Sequence, residues 1–272
     1  MARRTLAGLR VIITGASQGI GRALAVEAAK RGMKVVATAR TPDLLNELVK
    51  EVPAIIPCVA DVTDPAGRQR MIDTALKSFG GLDLLINNAG IGATGHFMDS
   101  EPETLRQIFE TNYFGLCEIT RLAIPELKKG VTPAIVNISS VVGRRAIPAR
   151  GLYAASKFAV AGFSEAIRAE LAKDNIDVIV INPGLTQTNF SKNMLESKAR
   201  MPMDHMRGMT SEQVAVATLD AAAKGKTEVT LTFKGKMMVL TARFAPWIVD
   251  HFSKKKVREL FAEEMAARKL GS

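Results

Sequence analysis

The sequence predicts an α/β fold, a doubly wound sandwich of helices around a seven-stranded, mostly parallel sheet, on three observations. Short β-branched runs recur between helix-length segments, the runs are apolar throughout, and the first of them ends in a glycine-rich turn. A strand that is apolar at every position is buried on both faces, as in a parallel sheet covered by helices. Regular alternation of strand and helix marks the doubly wound class. The chain has 272 residues, 47% of them apolar, enough for one sizeable core. With no repeat, low-complexity tract or Gly/Ser/Pro linker, residues 1–272 read as a single domain.

In order, the strands are VIIT at 11–14, KVVATA at 34–39, AIIPCVA at 54–60, LDLLIN at 82–87, AIVNIS at 134–139, DVIVIN at 177–182 and EVTLTF at 228–233. Helix starts are marked by Thr41 before Pro42, Asp64 before Pro65, and Thr210 with Gln213 three residues on. Proline at the first helical position costs no hydrogen bond, and a Thr/Gln pair at that spacing forms a capping box. Residues 151–173 read as a helix from their alanines and the apolar recurrence at 158, 160, 163, 167 and 171. The methionine-rich, aperiodic stretch 187–209 reads as a substrate lid, and 237–272 as a C-terminal helical extension.

Composition narrows the function classes. The net charge of +10 suits an anionic partner or a solvated basic surface alike. No nucleic-acid module and no basic-aromatic stripe appears, so nucleic acid is not an expected partner. Cys58 and Cys117 lie in separate apolar stretches without ligand spacing, which points to a reducing compartment. His96, His205 and His251 are scattered and read as surface or loop residues, and no metal is expected. Arg3-Arg4 lacks the apolar region and cleavage site of an export signal, and no run reaches the roughly 18 uncharged apolar residues of a membrane span. A cytoplasmic protein is expected.

The chemistry begins directly after the first strand. In TGASQGIGRALAVEAAKRG, the turn Gly15, Ser17, Gln18, Gly19, Ile20, Gly21 leads into a helix. Glycines there let the backbone approach a pyrophosphate, and the helix N-terminus supplies free N–H donors. Strand two ends in Ala39-Arg40 with no carboxylate until Asp43. A carboxylate at that position serves a ribose 2′-OH, whereas a guanidinium pairs with a 2′-phosphate. NADP(H) is therefore the preferred cofactor, with NAD(H) as the alternative. Tyr153 and Lys157 stand four apart in YAASK, on one face of the 151–173 helix. A free phenol, with a pKa of about 10, is a poor base near neutrality, and a nearby ammonium favours its phenolate.

The glycine spacing is GxxxGxG, in the form TGxxxGIG. It is followed in order by Asp61-Val62, NNAG at 87–90, Asn112 in TNYFG, NISS at 137–140, YAASK at 153–157 and NPG at 182–184. On these motifs the chain resembles the short-chain dehydrogenase/reductase family from residue 8 to about residue 235. The resemblance implies a Rossmann-type fold and nicotinamide-dependent interconversion of a carbonyl and a secondary alcohol. It implies adenine contacts from Asp61 and Val62, a cofactor floor of Asn88, Ala89 and Gly90, and nicotinamide contacts from Pro183, Gly184, Thr186 and Thr188. It further implies a tetrad in which Ser140, the second serine of its pair, holds the substrate oxygen for Tyr153. In that tetrad Lys157 also grips the cofactor ribose, and Asn112 holds a water linking Lys157 to solvent. Homo-oligomers are common in the family. A non-catalytic NADP(H)-binding regulator on the same fold is the alternative, since fold alone does not prove chemistry. The intact tetrad argues against it.

Candidate pocket walls are Ile91, Phe97, Met98, Val142, Ile147, Phe190, Met194 and Leu195, which predict a lipophilic substrate. Arg144 and Arg145 read as a solvated pair, with an acidic group or thioester carrier on the substrate as the alternative. In the extension, Phe244, Trp247, Ile248 and Phe252 fall on one helical face, followed by Lys254, Lys255, Lys256 and Arg258. That pattern serves a peripheral membrane contact or a subunit interface.

Overall fold

The computed structural model describes residues 3–191, 194–198, 208–260 and 262. Seven strands form the main sheet: β1 (Arg10–Thr14), β2 (Lys34–Ala39), β3 (Ile56–Val59), β4 (Leu84–Asn87), β5 (Ala134–Ile138), β6 (Asp177–Asn182) and β9 (Glu228–Thr230). Their order is β3-β2-β1-β4-β5-β6-β9, and every pairing is parallel. A separate short pair joins β7 (Thr186–Gln187) to β8 (Met209–Thr210). Each predicted strand is present. The last is shorter than its apolar run because Thr232 caps the next helix, accepting from the Gly235 N–H at 3.0 Å.

The helices are α1 (Gly19–Lys30), α2 (Pro42–Glu51), α3 (Pro65–Phe79), α4 (Pro102–Phe109), α5 (Gly115–Leu127), α6 (Gly151–Glu170), α7 (Ser211–Lys224), α8 (Phe233–Phe244) and α9 (Pro246–Leu260). Asp64 caps α3 by accepting from Ala66 N and Gly67 N, and the Thr210–Gln213 capping box starts α7. Such a cap contributes about 1 kcal/mol. Thr41 occupies the cap position of α2, but its side chain makes no capping bond.

Successive residues of β1 feed opposite layers. Val11 and Ile13 pack with Leu24 and Ala28 of α1 and Leu219 of α7, while Ile12 packs on the other face with Met71 of α3, Ile119 of α5 and Ile167 of α6. Each fully buried aliphatic side chain of this kind contributes roughly 1.5–3 kcal/mol. Behind the carboxyl ends of β4 and β5, Asn87 Nδ2 donates to Asn137 Oδ1 (2.9 Å) and Thr120 Oγ1 (3.0 Å), and Asn137 Nδ2 donates to Ser164 Oγ (2.8 Å). This polar chain ties two strands to α5 and α6.

The strand order reverses at β1. The chain runs outward through β2 and β3, then returns to form β4 on the other side, which opens a crevice at the carboxyl ends.

One expectation for the extension fails. Phe244 ends α8, whereas Trp247, Ile248 and Phe252 belong to α9, so the four do not share one helical face. Proline cannot continue a helix interior but suits a first turn, and Pro246 starts a new helix after Ala245. All four side chains are exposed, as are Phe233, Met237 and Leu240. Among the described residues no helix is long and apolar enough to cross a membrane. Residues 192, 193 and 199–207 of the expected lid, His205 with them, lie outside the described residues, as do 261 and 263–272 of the extension.

Candidate active site

A cavity of about 1180 Å³ occupies the crevice, and the segments leaving β1 to β6 all contribute to its wall. From β1 come Gly15, Ser17, Gln18, Gly19, Ile20 and Gly21, from β2 Arg40, and from β3 Asp61 and Val62. Asn88, Ala89 and Gly90 follow β4, Ser140 follows β5, and Pro183, Gly184, Thr186 and Thr188 follow β6. Tyr153 and Lys157 enter from α6. Every predicted cofactor and catalytic residue except Asn112 lies on this one wall.

The glycine turn fits a dinucleotide for steric reasons. A Cβ on Gly21 would stand 2.1 Å from the Gly15 carbonyl oxygen, and one on Gly15 would stand 2.8 Å from Ala89 Cα. Gly15 and Gly19 have φ of +66° and +55°, the left-handed region that favours glycine. Asn88 Nδ2 donates to the carbonyls of Thr14 (3.0 Å) and Gly15 (3.1 Å), locking the segment after β4 against this turn. Gln18 makes no side-chain cap on α1, and the first turn carries no acidic residue, so its N–H groups suit an anion. Thr38 Oγ1, on the wall near the end of β2, is buried without a partner among the described residues and can serve a ligand hydroxyl. The Arg40 side chain is largely exposed at the rim, 3.7 Å from Asp61 Oδ2, free to turn toward a phosphate.

Beside Tyr153, Ser140 Oγ accepts from Val142 N at 3.3 Å and donates to the Pro183 carbonyl at 3.5 Å, and its hydroxyl draws the Tyr153 pKa down. The neighbouring Ser139 is turned away, its hydroxyl donating to the Lys157 carbonyl at 3.1 Å. Burial pushes the Tyr153 phenol up to about 12, against the Arg150 cation and the Ser140 hydroxyl, which both draw it down. Lys157 is buried, and desolvation lowers its ammonium to about 8. Its Nζ donates to the Ile138 carbonyl at 2.9 Å and stands 5.8 Å from the Tyr153 ring centroid. The Phe190 ring packs on Tyr153 with centroids 5.4 Å apart.

Asn112 lies behind the wall, fully buried, in a π-helical turn (Glu110–Phe114) between α4 and α5. Its Oδ1 accepts from Ile91 N (2.8 Å), and its Nδ2 donates to Ile91 O (2.9 Å) and Ser156 Oγ (2.9 Å). Both amide protons are thus committed, which leaves one lone pair on Oδ1 for a water. Such single π turns recur at functional sites. This one faces the side chain across to α6 and the segment after β4.

Of the expected apolar walls, Ile91, Val142, Ile147 and Phe190 line the cavity. Phe97 and Met98 do not. They sit on a short 3-10 turn and are 78% and 87% exposed, because the loop after β4 turns outward before α4. Leu195 is exposed and Met194 half-buried, its sulfur 3.1 Å from Thr94 Oγ1, and neither lines the cavity. Arg144 and Arg145 are not a solvated pair. Arg144 bridges Glu165 and Glu228, and Arg145 pairs with Asp250 of α9. Among the lining residues that sequence reasoning missed are Thr38, Thr111, Arg150, and Phe233, Lys234, Gly235 and Met238 at the start of α8. For Arg150 a signal existed, since it precedes Tyr153 by one helical turn. For α8 there was none, since its sequence reads first as the end of a strand.

Residues 10–199 match the short chain dehydrogenase family. Dehydrogenase/reductase SDR family member 7B of Bos taurus is 35% identical over 235 residues, 81% of this chain and 72% of that protein. Among solved structures, a short chain dehydrogenase/reductase from Burkholderia phymatum in complex with NAD superposes with TM-score 0.83 at 26% identity, over 90% of this chain and 96% of that one. A short chain dehydrogenase from Burkholderia cenocepacia J2315 in complex with NADP gives TM-score 0.78 at 28% identity, over 90% and 97%.

Proposed function

The chain belongs to the short-chain dehydrogenase/reductase family, and from that premise we propose that it is an NADP(H)-dependent oxidoreductase interconverting a carbonyl and a secondary alcohol on a lipophilic molecule. The observation that carries this reading is that Ser140, Tyr153 and Lys157 line the same cavity as the glycine turn. The catalytic assignment is the tetrad of Asn112, Ser140, Tyr153 and Lys157.

A bound nicotinamide supplies the hydride for reduction or takes it up in oxidation. Ser140 donates to the substrate oxygen and holds it beside Tyr153. With its pKa pushed up to about 12, the Tyr153 phenol carries its proton at neutral pH and can give it to that oxygen. Lys157, held by the Ile138 carbonyl, stands beneath the tyrosine ring as a donor to the cofactor ribose. Asn112 fixes Ile91 and Ser156, and through them the relation of the cofactor floor to α6. Support for NADP(H) over NAD(H) comes from Arg40 at the rim and from the lack of a carboxylate at the end of β2. Support for a lipophilic substrate comes from Ile91, Val142, Ile147 and Phe190 on the cavity wall, with Phe190 packed on Tyr153.

Residues 187–209 act as the lid in this reading, and unpaired Cys58 and Cys117 favour a reducing, cytoplasmic setting. The exposed apolar side chains of α8 and α9 favour homo-oligomer formation, with a peripheral membrane contact as the second candidate. Gel filtration and sedimentation with anionic liposomes, each with and without residues 237–272, separate the two.

The test of function is NADPH consumption, with NADH in parallel, across aldehydes, ketones, steroids, retinoids and 3-oxoacyl thioesters. Turnover with at least one ketone and a preference for NADPH is expected. Tight NADPH binding without any turnover would move the assignment to a cofactor-binding regulator.

A further inference from the structure

Two arginines of the described residues are more than nine-tenths buried, and they differ in what surrounds them. Arg4, 3% exposed, is fully engaged: its guanidinium donates to the Asp177 carboxylate and to the carbonyls of Ala222 and Thr132. Arg150, 6% exposed, has no carboxylate partner and no acceptor for its guanidinium among the described residues, and its Nε is buried without a bond. Arginine keeps its proton even when burial lowers its pKa, as it does here. A buried, unpaired cation is expensive, and proteins keep one where a ligand supplies the counter-charge.

The position says which ligand. Arg150 occupies the N-cap position of α6 without a side-chain capping bond, one turn before Tyr153, and lines the cavity with Ile147 and Tyr153. The preceding residue, Ala149, has φ of +60°, a costly conformation for alanine, and its carbonyl accepts from Gly95 N at 3.0 Å. The backbone is therefore held in an unfavourable turn at the point where Arg150 enters the cavity wall. The phosphates of a dinucleotide have their own donors at the glycine turn and at Arg40, on segments that leave β1 and β2. Arg150 belongs to the segment that leaves β5, together with Ser140.

We infer that Arg150 anchors an anionic group of the substrate, so that the molecule reduced or oxidised here carries a carboxylate or phosphate a few bonds from its reacting carbon. This rests on the oxidoreductase reading above and narrows its substrate class to amphiphilic acids. The guanidinium fork takes the anion, Ser140 and Tyr153 take the reacting oxygen, and Val142, Ile147 and Phe190 take the apolar chain.

The test compares matched ketones. A γ-keto fatty acid is set against its methyl ester, and an α-keto alkyl phosphate against its methyl ether, with NADPH, for the wild type, Arg150→Met and Arg150→Lys. The wild type should prefer the anion of at least one pair. Arg150→Met should lose about 10- to 100-fold in kcat/KM on that anion, with the neutral partner little changed and NADPH affinity preserved. Arg150→Lys should recover part of the loss. The pair that shows the effect separates carboxylate from phosphate. No preference for either anion, or equal losses on charged and neutral ketones, would overturn the proposal, the second result making Arg150 a cation that acts on Tyr153 alone.

A binding arm needs no turnover. Decanoate, decyl phosphate and the neutral ketone decan-2-one are titrated calorimetrically into the protein–NADP+ complex. Tighter binding of an anion that Arg150→Met abolishes supports the anchor even if every ketone fails as a substrate, a failure that would count against the oxidoreductase reading instead. If Arg150→Met does not fold, Arg150→Gln and the wild-type ratio of anion to neutral ligand decide the question.

Discussion

The two halves of the cavity are built differently. The half proposed for the cofactor is backbone: Gly15, Gly19 and Gly21 leave no room for a Cβ or hold left-handed φ, and Asn88 clamps the turn through two main-chain carbonyls. The half proposed for the substrate is side chains on loops and helix starts, with Val142, Ile147, Arg150, Tyr153, Phe190 and the first turn of α8 in its wall. Shape complementarity to a dinucleotide tolerates little change, whereas a wall of side chains can be refitted to another substrate without moving a strand.

The sharpest probe of this division is at the seam. Tyr153→Phe removes one oxygen and should lower turnover by about 10²- to 10⁴-fold, while NADPH binding measured by fluorescence stays as it was. Retained turnover would remove Tyr153 from the chemistry. Within the cofactor half, Gly21→Ala forces a Cβ against the Gly15 carbonyl at 2.1 Å. It should weaken NADPH binding about tenfold or more and lower the melting temperature, by analogy with overpacked cores that lose about 1–3 kcal/mol. Gly162→Ala is the control, since its Cβ meets nothing within 4 Å and it lies inside α6. There the gain should be roughly 0.5–1 kcal/mol. If both variants behave alike, the close approach is not what shapes the cradle.

A smaller effect is expected at the rim. Arg40→Asp should reduce the preference for NADPH over NADH by about tenfold, the worth of a charge-assisted pair at a partly exposed position, and leave the carbonyl substrate's KM nearly unchanged. Equal binding of both cofactors before and after the change would refute the NADP(H) assignment.

The smallest effect is in pH. Lys157 has a folded pKa of about 8, below its ordinary 10.5. Between those values the unfolded chain binds more protons, so stability rises with pH across the window. Thermal melts of the cofactor-free protein from pH 8 to 10 should therefore show the wild type gaining a few degrees relative to Lys157→Met. Parallel curves for the two proteins would mean that Lys157 is not held in a desolvated site.

Much of the fold was legible in the sequence because burial on both faces leaves a local mark. Seven apolar runs announced seven strands, and Asp64 and the Thr210–Gln213 pair announced helix starts by chemistry confined to three or four residues. The site was legible where its geometry is local too, as in the glycine turn and in Tyr153 and Lys157 on successive turns of α6. Phe97 and Met98 were misread as pocket walls, since apolar character says that a residue can line a cavity but not which way its loop turns. Phe244 was grouped with α9 because a periodic pattern runs through Pro246 on paper while the helix does not.

By itself, then, the sequence determined the strand set, the caps at Asp64 and Thr210, the spacing of the glycine turn and the placement of Tyr153 and Lys157 on one helix, because each depends on neighbours within one turn or one strand. Tertiary structure alone decided the partners of the cations. Arg4, Arg144 and Arg145 find carboxylates up to 173 residues away, and Arg150 finds none among the described residues. Whether a buried charge is neutralised depends on what the fold brings within about 4 Å of it, and no local pattern encodes that distance.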